Sequence, residues 1–355
     1  MNQQDWKFKA LTDLWTGDAE GKPNRVITTG LLGSIRWWFE VLVRGLGGKA
    51  CDPSEPRNRC PQDARKNPGD PGHRCVVCEL FGCTDWARKF RFEVLDGSGV
   101  KVSQIRKDEQ FTLRFSELRP VRPEEWALLC LTLRLIADYG AIGGKTVYKP
   151  TEEASRQSEQ HHQDFGLVKL VTSSTGCRFQ EDDLRRYVSL PKWRKLSHGD
   201  FAWASLEYFW CVKGRYLARQ SPNNSTFNQV VGRDERKTCV ACGQVHNPPQ
   251  KCAKTKKHQK RLSDCDPENE PHKWLAGTRQ ESKKVFSFKE PETAPRTFGF
   301  VNPRVDRLSF EKMRKLLRGE NQNGVHGPWA DLRDDEFLEG PEILKRLLAA
   351  ACGGS

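Results

Sequence analysis

The sequence predicts an α+β protein with two domains. Short segments with the two-residue alternation of strands lie between segments with helical periodicity. At about 150 residues per domain, a length of 355 residues suits two domains. The hydrophobic content of 36%, with 11 Trp and 18 Phe, provides enough apolar side chains for packed cores and excludes wholesale disorder.

The first half of the chain contains the clearest elements. Apolar residues recur at spacings of three and four from Leu31 to Leu46 and predict a helix. A second helix is predicted to begin at Pro123, because proline suits a first helical turn and Glu124 and Glu125 follow it. Alternating or apolar segments predict strands at 5–11, 90–95, 110–115 and 165–171.

The order of these elements is strand, helix, strand, strand, helix, strand. This is the split βαβ pattern of ferredoxin-like domains, which RNA-recognition domains share. We therefore expect a ferredoxin-like domain at 1–172, with a cysteine-rich insertion near 49–85. The remaining chain, 173–355, is expected to form a second α+β, ferredoxin-like domain with a cysteine-rich basic insertion near 232–280.

The charge balance indicates a polyanionic partner. The chain has 59 Lys+Arg against 46 Asp+Glu and a net charge of +13 at pH 7. Nucleic acid is the usual partner of such a protein, and a basic surface that serves solubility is the alternative. The first residues lack the apolar core of a signal peptide, and the longest apolar run, Trp126 to Ile136, is too short to span a membrane. We expect a cytoplasmic protein without membrane contact.

Two cysteine clusters predict two structural zinc ions. In a reducing compartment, a Cys-x-x-Cys pair indicates metal ligation rather than a disulfide. Two sets of four thiols can be drawn without a shared ligand, which is the donor set of a closed zinc site. In the first cluster, Cys51 and His73 are alternatives to Cys60. The predicted ligands are Cys60, Cys75, Cys78 and Cys83 in the first set, and Cys239, Cys242, Cys252 and Cys265 in the second.

A basic run lies inside the second cluster, where KCAKTKKHQKR spans 251–261 without an acidic residue. If a metal orders this loop, Lys254, Lys256 and Lys257 are predicted to contact RNA phosphates. Without the metal the run is a solvated, flexible stretch of charge.

Two further features allow more than one interpretation. Arg36, Glu40 and Arg44 follow each other at spacings of four, which suits an exposed ion-paired ladder. The glycine-rich loop at 138–146 is not a P-loop, because a tyrosine stands where glycine is required and a helix precedes it. The loop either admits RNA, with Lys145 and Lys149 on phosphates, or forms an ordinary helix-terminal turn.

The sequence contains no motif that argues for an active site. His161 to Asp164 (HHQD) is predicted to be a surface polar run, because no second histidine or acidic cluster has a readable spacing with it. The chain also lacks a nucleophile elbow, a zincin helix and a dinucleotide-binding fingerprint. We therefore expect a protein without catalytic activity.

Several runs resemble CRISPR RAMP proteins. The most specific is TTGLLGSIRWWFE at 28–40, preceded by LTDLWTGD at 11–18. CVVCELFGC at 75–83 and GAIGGK at 140–145 add to the likeness. Within the family, the chain is most similar to the first-numbered RAMP subunits of type III-B Cmr effector complexes. The similarity covers about residues 1–172 well and the rest loosely.

The resemblance implies two ferredoxin-like domains and a non-catalytic, RNA-binding structural subunit in antiviral defence. Such a subunit lies at the end of a filament, beside other RAMP subunits and the 3′ part of a guide RNA paired with target RNA. Arg36 corresponds to the family's first-helix arginine, so an RNA contact is expected there. Arg44 is a further expected RNA contact. The alternative is an endoribonuclease on the same fold that processes guide precursor RNA.

Overall fold

The computed structural model describes residues 2–16, 25–52, 58–63, 65–143, 150–173, 179–196, 200–221, 224–231, 274–277, 283–302, 308–319 and 328–352. The strands in chain order are Gln3–Ala10 (β1), Phe90–Leu95 (β2), Gln110–Glu117 (β3), Val168–Ser173 (β4), Phe209–Lys213 (β5), Arg219–Ser221 (β6), Asn224–Ser225 (β7), Val285–Phe288 (β8), Arg296–Phe300 (β9) and Phe337–Glu339 (β10). The α-helices are Thr28–Gly45 (α1), Val76–Phe81 (α2), Pro123–Asp138 (α3), Glu181–Val188 (α4), Thr226–Val230 (α5), Phe310–Arg318 (α6) and Gly340–Cys352 (α7).

The chain forms two compact units. The first comprises Met1–Thr146, Phe165–Phe209 and Glu339–Ser355, and the second comprises Val147–Asp164 and Trp210–Leu338. The predicted domain boundary at 172/173 falls inside the first unit. The reason is that α4 and α7 return to α3: the Tyr187 hydroxyl donates a hydrogen bond to Glu125, and α7 packs against the same helix.

The first unit is built on a four-stranded antiparallel sheet with the order β2-β3-β1-β4. The predicted order of strands and helices in this half is confirmed, with α2 inserted between α1 and β2. Residues along β1 and β3 alternate between buried and half-exposed, so one face of the sheet is covered and the other is open. Trp6 and Phe115 meet edge to face on the covered side, with ring centroids 5.3 Å apart.

The second unit contains another four-stranded sheet, with the order β10-β5-β9-β8. All five residues of β9 are buried, which is expected for a strand inside a core. The close pairing of β8 and β9 requires glycine at Gly299, because a Cβ there would lie 2.4 Å from the Lys284 carbonyl oxygen. The mixed α+β class with antiparallel sheets is therefore confirmed.

The polar run that ends at Asp164 is only in part the predicted surface feature, because Gln163 is exposed and His162 is not. His162 is 8% exposed, and the Asp164 carboxylate is buried. Asp164 Oδ2 accepts hydrogen bonds from the backbone N–H groups of Lys289 and Glu290, both at 2.7 Å. Sequence periodicity missed this because the two amides lie more than 120 residues further along the chain.

None of the described helices is long and apolar enough to cross a membrane.

Candidate metal centre

Four cysteine sulfurs lie together in the first unit. The Sγ atoms of Cys51, Cys60, Cys75 and Cys78 are all within 4.8 Å of one another, and each residue is 3% exposed or less. A tetrahedral zinc ion with Zn–S bonds of about 2.3 Å holds its sulfurs about 3.8 Å apart. The donor set, the spacing and the burial therefore fit a closed structural zinc site without an open position for substrate.

One helix start and two loops position these sulfurs. Cys75 is the residue before α2 and Cys78 lies in its first turn, so both side chains share one face of the helix. Cys51 follows α1 after a turn at Gly47, whose φ of +89° favours glycine. Cys60 accepts a hydrogen bond from the Cys75 amide at 3.4 Å. The insertion therefore closes on the end of α1.

Two arginines donate hydrogen bonds to the sulfurs. Arg36 Nη2 lies 3.2 Å from Cys78 Sγ and 3.8 Å from Cys51 Sγ. Arg194 Nη1 lies 3.4 Å from Cys60 Sγ. A divalent ion with four thiolates has a net charge of −2. Two guanidinium groups balance that charge, which lowers the cost of burying the centre.

Crowding shifts the pKa values of the thiols. Hydrogen bonding with Cys51 is the main cause that places the pKa of Cys60 well below its usual range, and Arg194 adds to the effect. Hydrogen bonding with Cys51 also lowers the pKa of Cys75 to about 7. Hydrogen bonding with Cys60 raises the pKa of Cys51, and hydrogen bonding with Cys51 raises the pKa of Cys78, so the sulfurs without a metal share protons as a mixture of thiols and thiolates.

Arg36 also belongs to an ion-paired ladder along α1. Its Nε lies 3.1 Å from Glu40 Oε1, and Arg44 Nη2 lies 3.4 Å from Glu40 Oε2. The three side chains are 16%, 6% and 10% exposed in chain order, so the ladder is buried rather than exposed. Burial raises the pKa of Glu40 to about 6, although both arginines lower it.

The same arginines also donate to backbone carbonyls. Arg36 Nη1 lies 3.1 Å from the Gly82 oxygen, and Arg44 Nη1 lies 3.0 Å from the Ala204 oxygen. RNA contacts at Arg36 and Arg44 would require these bonds to break. The observed contacts fit the ladder interpretation and place both guanidinium groups in the protein interior.

Cys83 lies beside the group of four rather than in it. Gly82 ends α2 with a φ of +87°, and a Cβ there would lie 2.8 Å from the Arg88 amide nitrogen, so this turn requires glycine. The turn carries Cys83 into a backbone bridge with Trp86. Cys51 therefore takes the position predicted for Cys83.

A buried ion-pair network joins the insertion to the sheet and its helices. Lys89 Nζ lies 2.7 Å from Glu79 Oε1 and 2.8 Å from Glu125 Oε1. The Tyr187 hydroxyl donates to Glu125 Oε1 at 2.8 Å. Because buried charges are costly unless they are paired, these contacts hold α2 against α3.

Sequence reasoning missed Arg194, Lys89 and Glu125. Their partners are distant in sequence: 134 residues separate Arg194 from Cys60, and 36 residues separate Lys89 from Glu125. No local pattern marks such pairs. His73, one of the alternative ligands, is buried but lies outside the group of four.

Residues 140–143 at the start of the glycine-rich loop are hydrogen-bonded to α1. Trp38 Nε1 donates to the Ala141 carbonyl at 2.7 Å, and the Gly143 amide donates to Ser34 Oγ at 3.0 Å. Gly140 packs against the Trp38 ring, where an added Cβ would lie 2.5 Å from Cζ2. The other predicted site residues lie outside the described residues: Lys145, Lys149, Cys239, Cys242, Cys252, Lys254, Lys256, Lys257 and Cys265.

A family model of the RAMP superfamily matches residues 7–148, which include α1, the four-cysteine group and α3. This part of the chain is therefore similar to proteins of the RAMP superfamily. The resemblance of the sequence runs to RAMP proteins is thereby confirmed, and the cysteine group is an element within the RAMP region.

Two solved structures are similar to this chain. One is Cmr1 from Pyrococcus furiosus in its apo form, with 12% identity, a TM-score of 0.41, and coverage of 91% of this chain and 98% of that chain. The other is the Csm3–Csm4 subcomplex of a type III-A CRISPR-Cas interference complex, with 14% identity, a TM-score of 0.24, and coverage of 48% and 75%. No curated protein matches the chain.

Proposed function

We propose that this protein is a non-catalytic, RNA-binding structural subunit of a type III CRISPR effector complex. In this role it contacts guide and target RNA near the 3′ end of the guide, beside other RAMP subunits. The observation that carries the proposal is the RAMP superfamily match of residues 7–148. The net charge of +13 supports a polyanionic partner.

The topology of the first unit supports the ferredoxin-like part of this proposal. The strand order β2-β3-β1-β4, with α1 and α3 between the strands, is the arrangement of a split βαβ domain. The start of the glycine-rich loop is anchored on α1 through Trp38 and Ser34. Lys145 follows this anchor closely in sequence, so we assign it and Lys149 to RNA phosphates.

Structural zinc is part of the proposal. The group around Cys75 holds one ion and stabilises an insertion that is too polar to form a core of its own. A second ion is assigned to Cys239, Cys242, Cys252 and Cys265, where it orders the basic run with Lys254, Lys256 and Lys257. The purified protein should then contain about two zinc ions per chain.

Affinity purification of the tagged full chain from its native host, with sequencing of the bound RNA, tests this function. The proposal expects other RAMP subunits and guide RNA in the same particle. The purified chain alone should bind RNA without cutting it. Cleavage of guide precursor by the isolated chain in the presence of EDTA would instead support the endoribonuclease. Absence of both RNA and partner subunits would contradict the proposal.

A further inference from the structure

The open face of the four-stranded sheet has two halves with different electrostatic properties. In the half around β2 and β3, Arg114 donates to both carboxylate oxygens of Asp5, at 2.9 and 2.8 Å. On β2, Arg91 Nη2 lies 2.9 Å from Glu93 Oε1. Lys101 Nζ also lies 3.4 Å from Glu93 Oε1, so each of the three cations in this half lies beside a carboxylate.

The other half, around β1 and β4, carries three lysines, of which one has a carboxylate partner. Lys9 lies directly opposite Lys169, and Lys7 lies opposite Thr172. Within the described part of the chain, Lys7 and Lys169 form no ion pair. Lys9 pairs with Asp108 at 2.7 Å, but the side chains are 40% and 67% exposed. Such an exposed pair is weak, so a phosphate can displace it.

The closeness of these three lysines lowers the stability of the sheet. Like charges directly opposite each other across two strands destabilise a sheet. The register shift between Lys7 and Phe8 leaves Val171 as an extra residue in β4, and it is 45% exposed. Such bulges re-aim neighbouring side chains on an edge strand. A bound anion removes the repulsion between Lys9 and Lys169.

We propose that Lys7, Lys9 and Lys169 form a binding surface for the backbone of single-stranded RNA. The inference rests on the RNA-binding function proposed above and names a surface for it. RNA-recognition domains stack bases on aromatic side chains of the open sheet face. In the four strands of this sheet the aromatic rings, such as Trp6 and Phe8, are buried on the covered face. The surface therefore binds phosphates and does not read bases.

Salt-dependent RNA binding by the full-length chain tests the proposal. The variant Lys7→Ala/Lys9→Ala/Lys169→Ala is compared with Lys312→Ala/Lys315→Ala/Lys345→Ala. The latter set removes the same charge from exposed positions on α6 and α7. Fluorescence anisotropy with a 20-nucleotide oligouridylate and an oligoadenylate is measured from about 0.05 to 0.3 M KCl, a range in which phosphate contacts depend steeply on salt.

The surface variant should lower the slope of log K against log salt by about 2, at about 0.7 for each lost phosphate contact. This corresponds to about 100-fold weaker binding at 0.1 M salt, equally for both oligonucleotides. The control set should keep the wild-type slope. The variant Lys7→Arg/Lys9→Arg/Lys169→Arg should retain binding, and its thermal midpoint should show that the fold is intact.

A wild-type slope in the surface variant would overturn the proposal, as would equal losses in both alanine sets. If the surface variant keeps RNA affinity but no longer associates with partner subunits, the surface binds protein and the proposal is wrong. These failures leave the proposed function intact when the wild-type chain still binds RNA. A wild-type chain that binds neither oligonucleotide would contradict both.

Discussion

Glu40 in the first unit and Asp164 in the second are buried carboxylates with different partners. Glu40 lies between two arginines of α1, with nitrogen–oxygen distances of 3.1 and 3.4 Å. Asp164 accepts two backbone N–H groups on Oδ2, while Oδ1 has no hydrogen-bond partner among the described residues. One carboxylate is stabilised by flanking cations, and the other mainly by amide dipoles.

The difference appears in the pKa values. Burial raises the pKa of Glu40 from 4.5 to about 6. The rise is limited because Arg44 and Arg36 favour the charged carboxylate. Burial raises the pKa of Asp164 further, from 3.8 to about 7, although Lys289 and Glu290 donate backbone hydrogen bonds. The two sites also differ in nearby charge, because the Glu290 carboxylate raises the pKa of Asp164 further and Lys289 lowers it.

The largest effect is expected for Asp164. Because its folded pKa is raised, its stabilising contribution is complete below about pH 4 and is lost as the pH rises through 7. A shift from 3.8 to about 7 corresponds to about 4 kcal/mol at about 1.4 kcal/mol per pKa unit. Urea denaturation at pH 4, 6 and 8 should show this loss in the wild type and not in Asp164→Asn, which keeps an acceptor oxygen. Parallel pH profiles would contradict the assignment.

Removing one cation beside Glu40 is expected to have the next largest effect. Arg36→Ala leaves Glu40 with Arg44 alone and removes a hydrogen-bond donor from the sulfurs of Cys78 and Cys51. Breaking a buried pair in this way should lower the free energy of unfolding by about 3 kcal/mol. Arg36→Lys, which retains the charge, should lose less. Urea denaturation at pH 7 measures both, and an unchanged midpoint in the alanine variant would refute the buried ladder.

The smallest effect is expected for an ion pair with the same spacing on an exposed helix. Arg346 Nε lies 3.1 Å from Glu342 Oε1 on α7, and the side chains are 51% and 49% exposed. Arg346→Ala should change the free energy of unfolding by less than about 0.5 kcal/mol. The same denaturation experiment checks this. A loss of unfolding free energy as large as that of Arg36→Ala would show that burial does not distinguish this pair from the ladder on α1.

The sequence predicts the fold of the first unit well because its signals are local. The apolar stripe of α1 and the alternation in β1 report which face each element buries, and they require no knowledge of distant residues. The extent of the first unit has no such local signal. α4 and α7 belong to the first unit through contacts with α3, and no local pattern reveals those contacts.

The candidate site was predictable only in part. The gap between Cys75 and Cys78 marks a ligand pair because both residues lie at the start of one helix. The spacing of Arg36, Glu40 and Arg44 also identifies an ion-paired ladder. Spacing does not distinguish a buried ladder from an exposed one, because the covering segment comes from elsewhere in the chain. The exclusion of Cys83 from the group of four depends on the turn at Gly82. Only the backbone geometry reveals that turn.

The zinc content of two single variants tests the central claim most directly. Cys51 is inside the group of four sulfurs and Cys83 is outside it. Elemental analysis should find that Cys51→Ser contains one zinc ion fewer per chain than the wild type, whereas Cys83→Ser retains the wild-type content. Loss of zinc from Cys83→Ser together with full retention in Cys51→Ser would contradict the proposed ligand set. Absence of zinc from unchelated wild-type protein would contradict the metal centre itself.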